Sequence, residues 1–240
     1  MPLPGHGFTF KQFFVAHDRC AMKVNTDAII LGAWSNVGSA RRILDIGTGS
    51  GIVALMMAQK SSSTVFVDGI ELELQAYLQA KENFANSLWR DKIQAIHKDI
   101  MDYSCEVNRR YDLIVTNPPY FVKGVDCYSN ARNQARYTST LTHENLLLSC
   151  ERLLTPEGRL SLVLPYNIAT KFLTQAECQG WYCGRKLTVT DSKLKPPHLL
   201  LLEIAPYPLT CCEDFLMIRN VDRKYSDEFR KLTGDFYLFF

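Results

Sequence analysis

Arg42-Ile-Leu-Asp-Ile-Gly-Thr-Gly-Ser-Gly51 is the stretch whose reading decides the fold. A short apolar run, Arg42–Ile46, carries one acid, Asp45. Glycines follow at Gly47, Gly49 and Gly51, and Ile52–Lys60 then has the composition of a helix. This is a strand, a tight turn and a helix start. Glycine lets the turn take positive φ and lets a ligand approach with no Cβ in the way.

Downstream, the same pattern repeats. Val65–Ile70 is a second β-rich run ending in Glu71, and Leu74–Asn86 is helical. Ile93–Ile96 precedes Lys98-Asp99-Ile100. Tyr111–Thr116 runs into Asn117-Pro118-Pro119-Tyr120, and a long polar loop, Lys123–Thr140, follows. Thr142–Leu154 and Asn167–Gln179 are helical on either side of a strand at Arg159–Pro165. Strands alternating with helices predict an α/β fold: a mostly parallel, seven-stranded sheet with helices on both faces. Leu187–Ser192 and His198–Ile204 look like a hairpin at the sheet edge, and Phe215–Ile218 and Ser226–Leu232 are a short strand and a short helix.

Upstream, Gly7–Val24 reads as an N-terminal hairpin turning at His17-Asp18-Arg19. A helix over Ala28–Trp34 follows, capped by Asn25 or Thr26. The expected organisation is one domain: a hairpin and helix over 1–41, a core over 42–205 and an extension over 206–240.

Composition bounds the function. Hydrophobic residues make up 47% of the 240-residue chain and the formal charge is +2, so no bulk charge demands a polyanion partner. The N-terminus lacks the basic start and apolar run of a signal peptide, and no apolar run approaches the roughly 18 residues of a membrane span. The eight cysteines contain no C-x₂-C pair and have no histidine at zinc-ligand spacing. They read as buried free thiols in a reducing cytoplasm, with no metal site.

Spacing narrows the ligand. A dinucleotide fingerprint is G-x-G-x-x-G, whereas here the third glycine comes one residue sooner, at Gly51, and an acid precedes the first. No phosphate-cradling Lys-Ser pair is present. An acid at that point suits a ligand that brings positive charge rather than a pyrophosphate. S-adenosylmethionine carries a sulfonium and an ammonium.

Leu44–Gly51 resembles the first motif of the Rossmann-like S-adenosylmethionine-dependent methyltransferases. Glu71 with Leu72 matches that family's ribose-binding acid, Asp99 with Ile100 its adenine-contacting acid, and Asn117-Pro118-Pro119-Tyr120 its turn for methylating a planar nitrogen. The resemblance implies cofactor contacts from Asp45, Gly47, Thr48, Gly49, Glu71, Leu72, Asp99, Ile100 and Asn117, with Thr26 in the loop over the cofactor. The chemistry of the turn agrees. An exocyclic amine has its lone pair delocalised into the ring, and two acceptors, one for each N–H, would restore its nucleophilicity. Asn117 Oδ1 and the Pro118 carbonyl are the candidates, and Tyr120 offers a face for stacking.

The turn alone leaves three targets open: adenine N6, guanine N2, or a glutamine amide in a release factor. A separate possibility is a non-catalytic RNA-binding member of the fold. The flanks favour the first. Phe8–Phe13, His17-Asp18, Ala21–Asp27, Leu31–Trp34, Asn130–Arg132, Gln134–Tyr137, Leu141–Glu144 and Leu232–Leu238 resemble the bacterial tRNA (adenine-N6)-methyltransferases that modify position 37 of valine tRNA. Asn25, where that family has glycine, and His198 depart from it. The resemblance implies a tRNA partner, engaged through its anticodon stem-loop by a cytoplasmic enzyme; the sequence leaves the oligomeric state open, with a monomer favoured. Lys11, Lys23, Tyr120, Lys123, Arg132 and Arg136 are the expected substrate contacts. Arg109, Arg110, Lys193 and Lys195 could add phosphate contacts, although any one of these cations also reads as an ordinary solvated charge.

Overall fold

The strands carry apolar residues on both faces, and the computed structural model, which describes residues 6–118 and 141–239, buries each face against its own layer of helices. In β3 (Arg42–Ile46), Ile43 enters one core and Leu44 the other. In β9 (Leu199–Ala205), Leu199 and Leu201 face one way and Leu200 and Leu202 the other. This is the period-two alternation of a sheet covered on both sides. The first core takes α1 (Thr26–Trp34), α2 (Ile52–Lys60), α3 (Leu74–Ala85) and α7 (Asp227–Thr233). The second takes α4 (Ile100–Glu106), α5 (His143–Leu153) and α6 (Tyr166–Cys178).

Among the described residues the main sheet has eight strands, one more than expected. Their order is β10-β8-β9-β7-β6-β3-β4-β5, with β4 (Phe66–Glu71), β5 (Ile93–His97), β6 (Tyr111–Thr116), β7 (Leu154–Pro165), β8 (Tyr182–Thr190) and β10 (Cys212–Met217). Of these eight, β9 alone runs antiparallel to its neighbours. The β8–β9 pair is therefore a hairpin, as expected, but it is not the edge: β9 is inserted between β7 and β8, and β10 adds in parallel outside them. All seven residues of β9 are buried, which is the mark of an interior strand. β7 begins five residues earlier than the turn residues Thr155-Pro156-Glu157-Gly158 suggested. A register shift between Tyr111 and Leu113 absorbs those residues as a bulge.

The N-terminal hairpin is present, but its turn lies elsewhere. β1 (Gly7–Thr9) pairs with β2 (Phe14–Ala16). The chain reverses at Phe10–Phe13, where the Phe10 N–H donates to the Phe13 carbonyl at 2.8 Å. Phe10 and Phe13 stack at 4.6 Å and are buried, so the turn is drawn inward by its aromatics. The polar His17–Arg19 segment does turn, with the Cys20 N–H donating to the His17 carbonyl at 3.3 Å, but it opens a looped strap that runs to Asn25 rather than closing the hairpin. Tyr237 forms a bridge with Phe10, and the Lys11 N–H donates to the Phe236 carbonyl at 2.8 Å.

Cys150 and Cys183 are buried, as expected, but Cys105, Cys178, Cys211 and Cys212 are exposed. These four lie near helix ends, on solvent-facing helix positions or on the outermost strand, where apolar context in the sequence does not mean burial. No helix among the described residues is long and apolar enough to cross a membrane.

Candidate active site

β3 and β6 are adjacent and parallel, and their last paired residues are Ile46 and Thr116. The next residue on each, Gly47 and Asn117, therefore leaves the sheet on neighbouring strands, at the roughly 4.8 Å spacing of a sheet. Thr116 Oγ1 donates to the Ile46 carbonyl at 2.9 Å, which locks the two exits together. The fold thus puts the glycine turn and the Asn-Pro turn side by side, although 69 residues separate them in the chain.

The turn is held from below. The N–H groups of Gly47 and Thr48 both donate to the Ile70 carbonyl of β4, at 2.9 and 3.0 Å. Thr48 packs over Gly69, where a Cβ would come within 2.8 Å of Thr48 Oγ1. Gly47, Gly49 and Gly51 have φ of 68°, 56° and 84°. A Cβ on Gly47 would meet nothing within 4 Å, so this part of the turn borders open space. On Gly51 it would lie 2.4 Å from Phe84 Cε1, so the turn presses directly on α3.

Asp45 does more here than its position in the sequence suggested. It is 2% exposed, and its Oδ2 accepts from Thr48 Oγ1 at 2.6 Å and from the Ala54 N–H at 3.1 Å. The carboxylate thus occupies the N-terminal end of α2, the place where a dinucleotide fold seats a pyrophosphate. Burial pushes its pKa up to about 7, against the pull of the Thr48 and Ala54 hydrogen bonds, and the Glu71 charge adds to the rise.

Glu71 ends β4. Its Oε2 accepts from the Gly49 N–H, and its Oε1 from the N–H groups of Leu72 and Glu73, each at 2.9 Å. Burial raises its pKa, and these three backbone donors work against the rise.

Asp45, Gly47, Thr48, Gly49, Glu71 and Asn117 wall one cleft of about 450 Å³, within the ordinary range of small-molecule sites. The strap from Asp18 to Asn25 forms the facing wall. Lys23, expected to contact substrate, lies on that wall. Among the described residues the cleft is lined by four carboxylates, Asp18, Asp45, Glu71 and Glu73, against two cations, Arg19 and Lys23. Arg19 is already paired with Glu82. With the end of α2 blocked by Asp45 and acids in excess, these residues fit a ligand carrying positive charge, such as S-adenosylmethionine, better than one carrying phosphates.

Other expected site residues stand outside this wall. Asn25, not Thr26, caps α1: its side chain accepts from the Ala28 N–H at 2.9 Å, and Thr26 becomes the first helical residue. Leu72 is exposed, and its backbone serves Glu71. Asp99 caps α4, accepting from the Met101 N–H at 2.7 Å, and Ile100 is buried in the second core. Lys11 donates its ammonium to the Gly234 carbonyl, which ties it to the C-terminal segment. Pro118 follows Asn117 and is buried. Pro119, Tyr120, Lys123, Arg132 and Arg136 lie outside the described residues.

Arg109 and Arg110 are not beside the Asn-Pro turn. They precede β6, whose six residues separate them from Asn117 by roughly 20 Å. Arg109 pairs at 2.8 Å with buried Asp68, which also accepts from Tyr111 at 2.6 Å and from Gln94 at 2.7 Å. The sequence reading missed that network, the strap and Gly69. The turn expected at His17-Asp18-Arg19 is present, but its place on the wall of the cleft is not legible, and nothing in the sequence alone indicates what a β4 glycine packs against.

The fold and the paired turns define a methyltransferase of the Rossmann-like class, and the Methyltransferase small domain family matches residues 26–178. A predicted O-methyltransferase from Agrobacterium tumefaciens shares the fold at TM-score 0.66 and 14% identity, over 88% of this chain and 96% of that one. The chain belongs to the tRNA1(Val) (adenine(37)-N6)-methyltransferase family. It is 47% identical over 237 residues to the member from Klebsiella pneumoniae strain 342, covering 99% of this chain and 97% of that protein. The member from Pectobacterium carotovorum subsp. carotovorum strain PC1 is 49% identical, over 97% and 94% of the two chains.

Proposed function

We propose that the protein methylates N6 of adenine 37 in the anticodon loop of tRNA1(Val), in the cytoplasm, with S-adenosylmethionine as donor. The observation that carries this reading is the placement of Asn117 in the wall of the same cleft as Gly47 and Glu71. The printed function of the relatives, at 47–49% identity, supports the choice of substrate.

When bound, S-adenosylmethionine supplies an electrophilic methyl group on a sulfonium. The acids of the cleft favour that positive charge, and the Glu71 carboxylate, anchored by three backbone N–H groups, keeps lone pairs for ribose hydroxyls. Asn117 Oδ1 and the Pro118 carbonyl accept the two N–H groups of the adenine amine. That raises electron density on N6 and holds it for in-line attack. Once N6 has formed its new bond to carbon it carries an extra proton, which is acidic and leaves to solvent, so no strong general base is needed. The resemblance to the family assigns Tyr120 to stacking on the flipped base and Lys23, Lys123, Arg132 and Arg136 to the RNA. Turning out a loop purine costs about a few kcal/mol.

The test is mass analysis of valine tRNA from cells lacking the protein, paired with methylation of a tRNA1(Val) transcript by the purified chain. Loss of N6-methyladenine in cells and its formation in vitro are expected. Unchanged N6-methyladenine in the deletion strain rejects the reading. Methylation of a guanine N2 or a release-factor glutamine would reassign the target, and cofactor binding without turnover would leave a non-catalytic RNA-binding protein.

A further inference from the structure

Both walls of the cleft hang from α3. Asn83, on that helix, is 4% exposed. Its Nδ2 donates to the Ser50 carbonyl in the glycine turn and to the Ala16 carbonyl at the end of β2, each at 2.8 Å. Its Oδ1 accepts from the Ala16 N–H at 3.1 Å. Ala16 is the residue from which the strap departs. Gln79, one turn earlier on the same face, and Glu82, on the adjoining solvent side, hold Arg19 of the strap: Arg19 Nε donates to Gln79 Oε1 at 3.2 Å, and its guanidinium pairs with Glu82. At the base of the strap the Val24 N–H donates to His17 Nδ1 at 3.2 Å, so the strap closes on itself as a loop.

We propose that Asn83 is a positioning residue for the methyl donor: by holding Ala16 and Ser50 together it sets the width of the cleft between strap and glycine turn, with Arg19 as the second anchor. The proposal rests on reading the cleft as the S-adenosylmethionine site. Asparagine suits the task because it offers one acceptor and two donors on a short stem. An aspartate keeps the acceptor for Ala16 but sets a carboxylate oxygen against the Ser50 and Ala16 carbonyls. The side-chain hydrogen bonds of Asn83 go to Ala16 and Ser50, so its influence belongs to donor binding rather than to the transfer step.

The experiment measures the Kd of S-adenosylmethionine by calorimetry, together with its KM and kcat at saturating tRNA1(Val) transcript, for the full chain and for Asn83→Asp and Arg19→Ala. Asn83→Asp is expected to raise Kd and KM about tenfold or more, with kcat at saturating donor within about threefold of wild type. Arg19→Ala, which alters a partly exposed side chain outside the core, is expected to raise KM about three- to fivefold with Tm almost unchanged. Wild-type KM in Arg19→Ala, or a loss confined to kcat in either variant, overturns the proposal. If Asn83→Asp does not fold, Arg19→Ala alone decides. A wild-type chain that neither binds donor nor methylates RNA would instead reject the reading of the site.

Discussion

The Glu71 carboxylate and the Gly49 N–H meet at 2.9 Å, across the gap between the end of β4 and the crest of the glycine turn. The acid therefore shapes the turn as well as facing the ligand. Glu71→Gln replaces one acceptor oxygen with a donor, which must oppose either Gly49 or the pair Leu72 and Glu73. The expected outcome is a fall in S-adenosylmethionine affinity of about tenfold or more, with a loss of about 1–2 kcal/mol in stability. Calorimetry and urea unfolding on the same preparation check both.

Asn117 separates binding from transfer. Asn117→Ala leaves Asp45, the glycines and Glu71 in place, so donor affinity is expected to stay within about threefold. Losing one of two acceptors aimed at the reacting amine should lower kcat by about a hundredfold or more. Single-turnover methylation of a tRNA1(Val) transcript reads this, and full turnover would remove Asn117 from the reaction.

Gly51 combines two demands. Its φ of 84° is costly for any residue with a side chain, and a Cβ there would meet the Phe84 ring. Gly51→Ala should destabilise the protein by roughly 2–4 kcal/mol. Adding Phe84→Leu relieves the overlap but not the backbone strain, so the double variant should recover only part of the loss. Chemical denaturation of both variants measures the split.

Asp45 predicts a pH dependence. Its pKa is about 7 in the folded chain, against an ordinary value of 3.8. Between those values the folded state holds a proton that the unfolded state releases. Its contribution therefore favours folding most at low pH and declines as pH rises from about 4 to 7, by roughly 2–4 kcal/mol in total. Asp45→Asn removes that slope. Unfolding free energies at pH 5 and pH 8 should show the variant gaining on wild type at the higher pH. The same gap at both pH values would mean that Asp45 stays ionised throughout.

The parts of the fold legible in the sequence are those punctuated by glycine, proline or an acid. β3, α2 and β6 have the predicted ends because Gly47, Gly51 and Asn117-Pro118 mark where each must stop or start. α4 is not legible because seven residues make too weak a period to stand out. The position of β9 inside the sheet was not legible, since an apolar run looks alike at an edge and in the middle. In the site, ligand-facing glycines and acids were readable by type. The supports were not: Gly69, Asn83 and Thr116 act through neighbours more than 20 residues away, and spacing carries no trace of that.

The Phe10–Tyr237 bridge has a consequence for how the protein is made. On the ribosome the first hairpin emerges more than 200 residues before its partners at 234–237. The hairpin that leads into the strap waits through all of that synthesis for its far-side support, while the glycine turn and its parallel strands are already in the lengthening chain. The cleft is therefore completed only once residues 234–237 are made, and a nascent chain has the floor of the site before it has a fully braced roof.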